Sequence, residues 1–232
     1  MTGPLKAPTA MVKDAASSGG DEPAQPPVTL GGREVIVAVC GGIAAYKSAD
    51  IVSKLVQRGC GVTVVMTEGA QKFIAPLTFE ALSGRQVRTD TFDLVESSDP
   101  QHIALTERAA LLLVAPATTN ILAKVACGLT DDLVSLLICA AACPVVFAPA
   151  MNNRMWNHPV ARENLAKLSR IGYRFIGPEA GWLACRNTGV GRMSEPGVIV
   201  DEVVKMLTNP VAMPKPISGE SRVRSAGDNE FS

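Results

Sequence analysis

Several short stretches of this chain have residue types and spacings suited to chemistry. The most specific is Ala148-Pro149-Ala150-Met151-Asn152-Asn153-Arg154-Met155-Trp156, which follows the short apolar run Pro144–Phe147. An asparagine just behind a buried strand offers an amide that both donates and accepts, suited to a carboxylate or a flavin edge. The same Asn152 is also a favoured N-cap for a helix predicted over 158–169. Cys185 lies in a segment from Gly177 to Gly197 that is rich in glycine and turn residues. That segment reads as a long loop without secondary structure, a feature that is commonly functional and often a lid. A thiol there can serve as an acid, whereas a buried one is packing. His102 follows the turn Asp99-Pro100-Gln101 and carries a side chain able to exchange a proton near neutral pH. His158, beside Pro159 in a polar loop, carries no such expectation.

Three further loops could hold an anion or a nucleotide. Gly41-Gly42-Ile43 permits close backbone approach ahead of a helix start, although it lacks the spaced Gly-x-Gly-x-x-Gly pattern. Thr118, Thr119 and Asn120 put two hydroxyls and an amide at another helix start. They suit one phosphate without help from Lys or Arg, and they equally suit ordinary N-capping. Thr67-Glu68 ends a strand; Glu68 is either a ribose ligand of a dinucleotide or a first-turn helix carboxylate.

The elements that must position these residues alternate along the chain. Val35–Cys40 is a continuous apolar run, as expected of a strand buried on both faces. A helix is predicted near 44–58, with Ile51, Val52, Leu55 and Val56 on one face and Asp50 and Lys54 as an exposed pair. Strands are predicted at Val62–Met66, Leu111–Val114, Val145–Phe147 and Tyr173–Ile176. Helical stretches separate them, one running to about Ser83 and others near 120–127, 131–142 and 158–169. Strands separated by helices imply one open parallel sheet covered on both faces, a doubly wound α/β fold of the flavodoxin or Rossmann-like kind. Its ligands bind beyond the carboxyl ends of the strands.

Composition narrows the function classes. The chain has 232 residues, equal numbers of basic and acidic side chains and no cationic stripe, which argues against nucleic acid. No apolar run is long enough for a membrane span, and no apolar signal core precedes the domain. The six cysteines show no Cys-x-x-Cys pair and read as reduced thiols of a cytoplasmic protein, with Cys139 and Cys143 as small core residues. Two histidines without clustered partners do not support a zinc site. Residues 1–32 and 209–232 are expected to be disordered arms around a domain at 33–208.

Taken together and in order, these pieces resemble one family. They are Gly41–Lys47, Met66-Thr67-Glu68, His102-Ile103, Ala115–Thr118 with Asn120, Pro149–Asn152, and Ala184-Cys185 with Gly189–Met193. Over about residues 33–207 the chain is similar to phosphopantothenoylcysteine decarboxylases, the decarboxylase half of bacterial bifunctional coenzyme A proteins. The resemblance implies FMN as cofactor, 4′-phosphopantothenoylcysteine as substrate, and 4′-phosphopantetheine and CO2 as products. In that family the flavin oxidises the cysteine side chain to a thioaldehyde, decarboxylation gives an enethiolate, and a hydride and a proton then complete the reduction.

By the same resemblance His102 is the base or proton donor of the first half, and Cys185 is the acid of the reducing step. Asn152 and Met151 contact substrate, while Gly41, Gly42, Ile43, Thr67, Thr118, Thr119, Asn120 and Ala150 line the FMN. It further implies a homotrimer, or a multiple of trimers, with active sites between subunits. It also implies a separate ligase upstream, since no ligase domain follows in this sequence. Related peptidyl-cysteine decarboxylases stop at the enethiol, and other relatives are non-catalytic regulators; the presence of Cys185 and His102 favours the full reaction. One departure stands out: Arg186-Asn187 follows the cysteine where the family has a Gly-Asp or similar pair.

Overall fold

The structure is a computed structural model that describes residues 30–91 and 101–209, the first four of the latter stretch by backbone alone. Five strands form a parallel sheet: β1 (Glu34–Val39), β2 (Gly61–Met66), β3 (Leu111–Ala117), β4 (Val145–Pro149) and β5 (Arg174–Phe175). Their order is β2-β1-β3-β4-β5. In register, Val35 of β1 stands between Val62 of β2 and Leu111 of β3, and Val114 of β3 lies opposite Phe147 of β4.

The apolar runs of β1 and β3 are continuous because each is buried on both faces. Alternate residues serve opposite cores. Val35, Val37, Leu111 and Leu113 pack with Ile51, Val52 and Leu55 of α1 (Ala45–Gln57), Phe79 of α3 (Pro76–Ser83) and Ile199 and Val203 of α9 (Pro196–Thr208). Ile36, Ala38, Leu112 and Val114 pack on the other face. Their partners come from α5 (Thr119–Cys127), α6 (Leu133–Cys139) and α8 (Pro159–Arg170). Phe147 belongs to this second core and meets Tyr173 edge-on and Phe175 stacked, at ring distances of 5.4 and 5.5 Å.

The sheet matches the doubly wound fold expected from sequence, with instructive differences. The helical region to Ser83 is two pieces, α2 (Glu68–Gln71) and α3, because Pro76 starts a new helix instead of continuing the first. Strand β3 runs on through Pro116 to Ala117; the ladder to β4 shifts register between Val114 and Ala117, so proline's missing N–H falls at an irregularity. Helix α6 stops at Cys139, which is exposed, so only Cys143 of that pair is a core residue. Leu30, placed in the disordered arm from sequence, is buried, and its N–H donates to the Arg58 carbonyl oxygen at 2.8 Å. Residues 30–32 and 209 are thus part of the described structure, and residues 1–29 and 210–232, the remainder of the two expected arms, lie outside the described residues.

The largest correction concerns Gly177–Gly197. Instead of a structureless loop it forms an antiparallel hairpin of β6 (Glu179–Trp182) and β7 (Thr188–Arg192). Gly181, Gly189 and Gly191 remove the alternation of large side chains by which a strand is recognised.

Phe147 fills the space between β4 and the aromatic pair on and beside β5, and it is fully buried. Phe147→Ala should lower unfolding free energy by about 3–5 kcal/mol, measured by urea denaturation with an unchanged circular dichroism spectrum at zero denaturant.

Candidate active site

The crossovers after β1 and β3 depart to opposite faces of the sheet, so their carboxyl ends are left uncovered by helices. A cleft of about 1210 Å³ opens there. Its walls come from the ends of four strands and from the hairpin: Cys40–Ala44 after β1, Thr67–Gly69 after β2, Thr118–Ile121 after β3, Ala150–Asn152 after β4, and Trp182–Cys185 with Gly191–Met193.

Gly41 is required by close approach. A Cβ at this position would lie 2.7 Å from the backbone carbonyl carbon of Gly69, so the first two strand ends touch backbone to backbone. Gly42 faces more open space, with only a Thr118 methyl at 3.7 Å from a virtual Cβ. Ile43 beside it is 62 % exposed on the cleft wall. Behind this turn, buried Ser48 of α1 donates its hydroxyl to the Ala115 carbonyl oxygen at 2.6 Å and pins the helix to β3.

The threonines at the strand ends act first as caps. Thr67 accepts from the Ala70 amide at 3.2 Å at the start of α2, and Thr118 accepts from the Ile121 amide at 3.3 Å at the start of α5. Each keeps its own O–H for a ligand. Thr119 donates to the Met151 sulfur at 3.2 Å, tying the β3 end to the loop after β4. The Asn120 side chain is exposed on the cleft. Glu68 is exposed and paired with Lys72 one turn on, the helix-terminal role rather than a ribose contact.

Asn152 caps the single-turn helix α7 (Asn153–Trp156), not the predicted helix at 158–169, which begins at Pro159. Its Oδ1 accepts from the Arg154 amide at 2.8 Å. The acceptor is thus spent locally, leaving the NH2 donors to the cleft. Ala150 is fixed by its N–H to the Ala117 carbonyl oxygen at 3.0 Å, and Met151 by its N–H to the Gly191 carbonyl oxygen at 2.9 Å. This last bond joins the loop after β4 to the hairpin. Gly191 has φ 149°, and a Cβ there would run into the Met151 carbonyl oxygen.

Cys185 is exposed and lies in the middle of the hairpin's three-residue loop, Ala184-Cys185-Arg186. The loop is closed by the Arg186 amide to the Leu183 carbonyl oxygen at 2.9 Å and the Leu183 amide to the Asn187 carbonyl oxygen at 2.8 Å. Arg186 has φ 61° at the third loop position, where this type of turn favours glycine. Cys40, on the cleft floor, is the opposite kind of thiol. Burial, helped by the Asp132 charge, pushes its pKa up to about 12, so it stays protonated as a packing group.

Charged groups missed by sequence reading occupy two ends of the cleft. At one end Lys47, only 13 % exposed, reaches Glu195 at 3.1 Å and the Met193 carbonyl oxygen at 3.4 Å, and Arg192 pairs with the same Glu195 oxygen. At the other end Lys124 is held by Asp131 at 2.7 Å and Asp132 at 2.6 Å. Burial alone would raise the Asp132 carboxyl, but hydrogen bonds from Lys124 and Ser135 outweigh it and hold its pKa below the usual value. The signal available for Lys47 was its place in the Gly41–Lys47 stretch; nothing local pointed to Glu195 as its partner.

The site residues named from sequence thus line one cleft, except for His102. It belongs to α4 (Gln101–Arg108), and its side chain lies outside the described residues. His158 lies away from the cleft at the start of α8. No described helix is long and apolar enough to cross a membrane.

A parallel sheet of order 2-1-3-4-5 with a cleft at its β1/β3 switch point defines a flavodoxin-like ligand-binding protein. The chain belongs to the Flavoprotein family, whose sequence profile matches residues 23–208. It is 44 % identical over 198 residues to the coenzyme A biosynthesis bifunctional protein CoaBC of Bacillus subtilis, covering 85 % of this chain and 48 % of that protein. The CoaBC protein of Vibrio vulnificus is 42 % identical over 86 % of this chain and 48 % of its own length. The chain therefore spans about half the length of these relatives. Among solved structures it resembles a cysteine-to-serine variant of PPC decarboxylase complexed with pantothenoylaminoethenethiol. That likeness has a TM-score of 0.68 and 30 % identity, over 76 % of this chain and 98 % of that one. The FMN-dependent cysteine decarboxylase SpaF is similar at TM-score 0.67 and 30 % identity, over 78 % of this chain and 98 % of its own.

Two substitutions test the local geometry. Arg186→Gly should raise unfolding free energy by about 1 kcal/mol in urea titration by relieving a left-handed non-glycine residue. Gly41→Ala should separate the β1 and β2 ends and lower the flavin bound per chain, read from visible absorbance, while the folded far-ultraviolet spectrum is retained.

Proposed function

We propose that this chain is an FMN-dependent phosphopantothenoylcysteine decarboxylase, converting 4′-phosphopantothenoylcysteine to 4′-phosphopantetheine in coenzyme A synthesis. The observation that carries the reading is convergence in one cleft. An asparagine amide with free donors, an exposed thiol at a hairpin tip and a β1/β3 switch point of flavin-binding type meet there. The cleft also fits the cofactor. Its volume exceeds that of ordinary single-ligand pockets, leaving space for FMN and a substrate arm, and its lining sets hydroxyl and amide groups among apolar side chains such as Ile43, Met155 and Trp182 that suit a flavin ring.

Bound FMN supplies a reversible two-electron acceptor for the substrate's cysteinyl side chain, which makes loss of CO2 feasible. The protein's own residues do the rest. Asn152 donates its Nδ2 hydrogens to the substrate carboxylate, orients it, and holds it away from bulk water. Met151, fixed by Thr119 and by Gly191, forms the wall beside that carboxylate. Gly41, Gly42, Ile43, Thr67 and Ala150 line the flavin, and Thr118, Thr119 and Asn120 provide hydroxyl and amide donors for its phosphate. His102, assigned from the sequence resemblance, takes the thiol proton as the substrate is oxidised. Cys185 delivers a proton to the enethiolate carbon in the reducing step, and its place at an exposed turn suits a group that must approach late.

The functional domain is residues 33–208 with the described extension back to Leu30, acting in the cytoplasm as a homotrimer or a multiple of trimers.

Purified full chain loaded with FMN should release CO2 from synthetic phosphopantothenoylcysteine and yield phosphopantetheine by mass spectrometry. Cys185→Ser should still release CO2 but accumulate a product lacking two hydrogens. Asn152→Asp, which sets a negative charge against the substrate carboxylate, should lower kcat/KM by about a hundredfold or more. A yellow protein inert on this substrate yet active on a peptide ending in cysteine would replace this reading with peptidyl-cysteine decarboxylation.

A further inference from the structure

We propose that Lys47 and Arg192 form a phosphomonoester subsite at one end of the cleft, with Glu195 holding both cations in place. The inference rests on the decarboxylase reading for the identity of its ligands, though not for its geometry. Lys47 projects from α1 and Arg192 from the end of β7, and both line the cleft. They converge on the same Oε1 of Glu195, the residue just before α9. One carboxylate between two cations leaves an excess of positive charge.

Donor bookkeeping points the same way. The Lys47 ammonium has three hydrogens, two of them directed at Glu195 and the Met193 carbonyl oxygen, which leaves one for a ligand. Arg192 has five N–H donors, of which the Glu195 contact uses part. Lys47 is well shielded from solvent, so a charge here is little screened by salt. Burial, and then the neighbouring Arg192 guanidinium, push the Lys47 pKa below the ordinary lysine value. Tyr46 and then Glu179 on β6 act in the other direction, but Glu179 neither pairs with Lys47 nor lines the cleft.

The opposite end has the reverse balance: Lys124 faces two carboxylates, Asp131 and Asp132. Glu68, the other acid on the cleft wall, is neutralised by Lys72. An anion entering the cleft is therefore drawn toward Lys47 and Arg192. A phosphomonoester, close to doubly charged at neutral pH, gains more there than a carboxylate. The substrate carboxylate already has its own donor in Asn152. Two ligands of the proposed reaction carry this group; the flavin phosphate has its donors at Thr118, Thr119 and Asn120, so the phosphorylated substrate is the expected occupant and the flavin comparison checks that placement.

The test compares each ligand with its dephosphorylated form. In the FMN-loaded full chain, calorimetry measures affinity for 4′-phosphopantetheine and for pantetheine. In the deflavinated chain, fluorescence quenching measures affinity for FMN and for riboflavin. Lys47→Gln and Arg192→Gln should each reduce one of these phosphate preferences roughly tenfold, the scale of one charge-assisted hydrogen bond. A reduction confined to the pantetheine pair assigns the subsite to substrate, and one confined to the flavin pair assigns it to cofactor. Should Lys47→Gln fail to fold, the partly exposed Arg192 carries the same comparison. Unchanged preferences for both pairs in a folded variant would overturn the subsite and leave the Lys47–Glu195 pair as a strap between α1 and α9. Failure of the unaltered holoprotein to decarboxylate its substrate would sink the functional reading instead, while the FMN and riboflavin comparison would still decide the subsite.

Discussion

Divergence of the chain at the carboxyl ends of β1 and β3 is the constraint on which the cleft depends. One crossover carries α1 to one face of the sheet, and the other carries α5 to the opposite face. The strand ends between them cannot be covered by either helix, and the helix starts lie on either side of the gap. Backbone contact keeps this arrangement tight. Gly41 against Gly69 sets the spacing of the first two strand ends, and Ser48 bonded to the Ala115 carbonyl ties the first helix to the third strand. None of these contacts involves a charged group. The chemistry is hung on a frame of glycine, serine and buried aliphatic side chains.

Local capping explains why the site residues point as they do. Thr67, Thr118 and Asn152 each satisfy a helix-start amide through an oxygen, and that bond fixes the side chain while leaving hydrogens for a ligand. The alternatives raised from sequence, cap or ligand contact, are therefore compatible. A cap that uses only the acceptor side of a hydroxyl or amide pre-orients the donor side, which lowers the entropy lost when a ligand binds.

The fold was legible because β1 and β3 are unbroken apolar runs and α1 carries a clear apolar stripe, patterns that burial on two faces or one face imposes. The loop positions were legible because strand ends locate them. Other features had no local signature. Glycines at 181, 189 and 191 interrupt the hairpin's two short strands, so no alternation of large and small side chains exists to read. Helix α6 ends at Cys139 without a glycine or proline to mark it, which hid the exposure of that thiol. The Lys47–Glu195 pair joins residues far apart in sequence, and charge partners of that kind are set by tertiary packing alone.

The hairpin also has the proportions of a lever. Its arms are anchored near the sheet by the Met151 amide on the Gly191 carbonyl, and Cys185 sits in the loop just beyond the four-residue strand β6. At a rise of about 3.3 Å per residue, such an arm is roughly 13 Å long, and tilting it by about 10° moves its tip by about 2 Å. That distance separates a hydrogen-bonded proton donor from one out of reach. The position of the thiol on the cleft is therefore sensitive to the tilt of the hairpin at its base. Gly191 and Arg192 lie at that base, so the backbone geometry of two residues remote from the tip is magnified at the thiol.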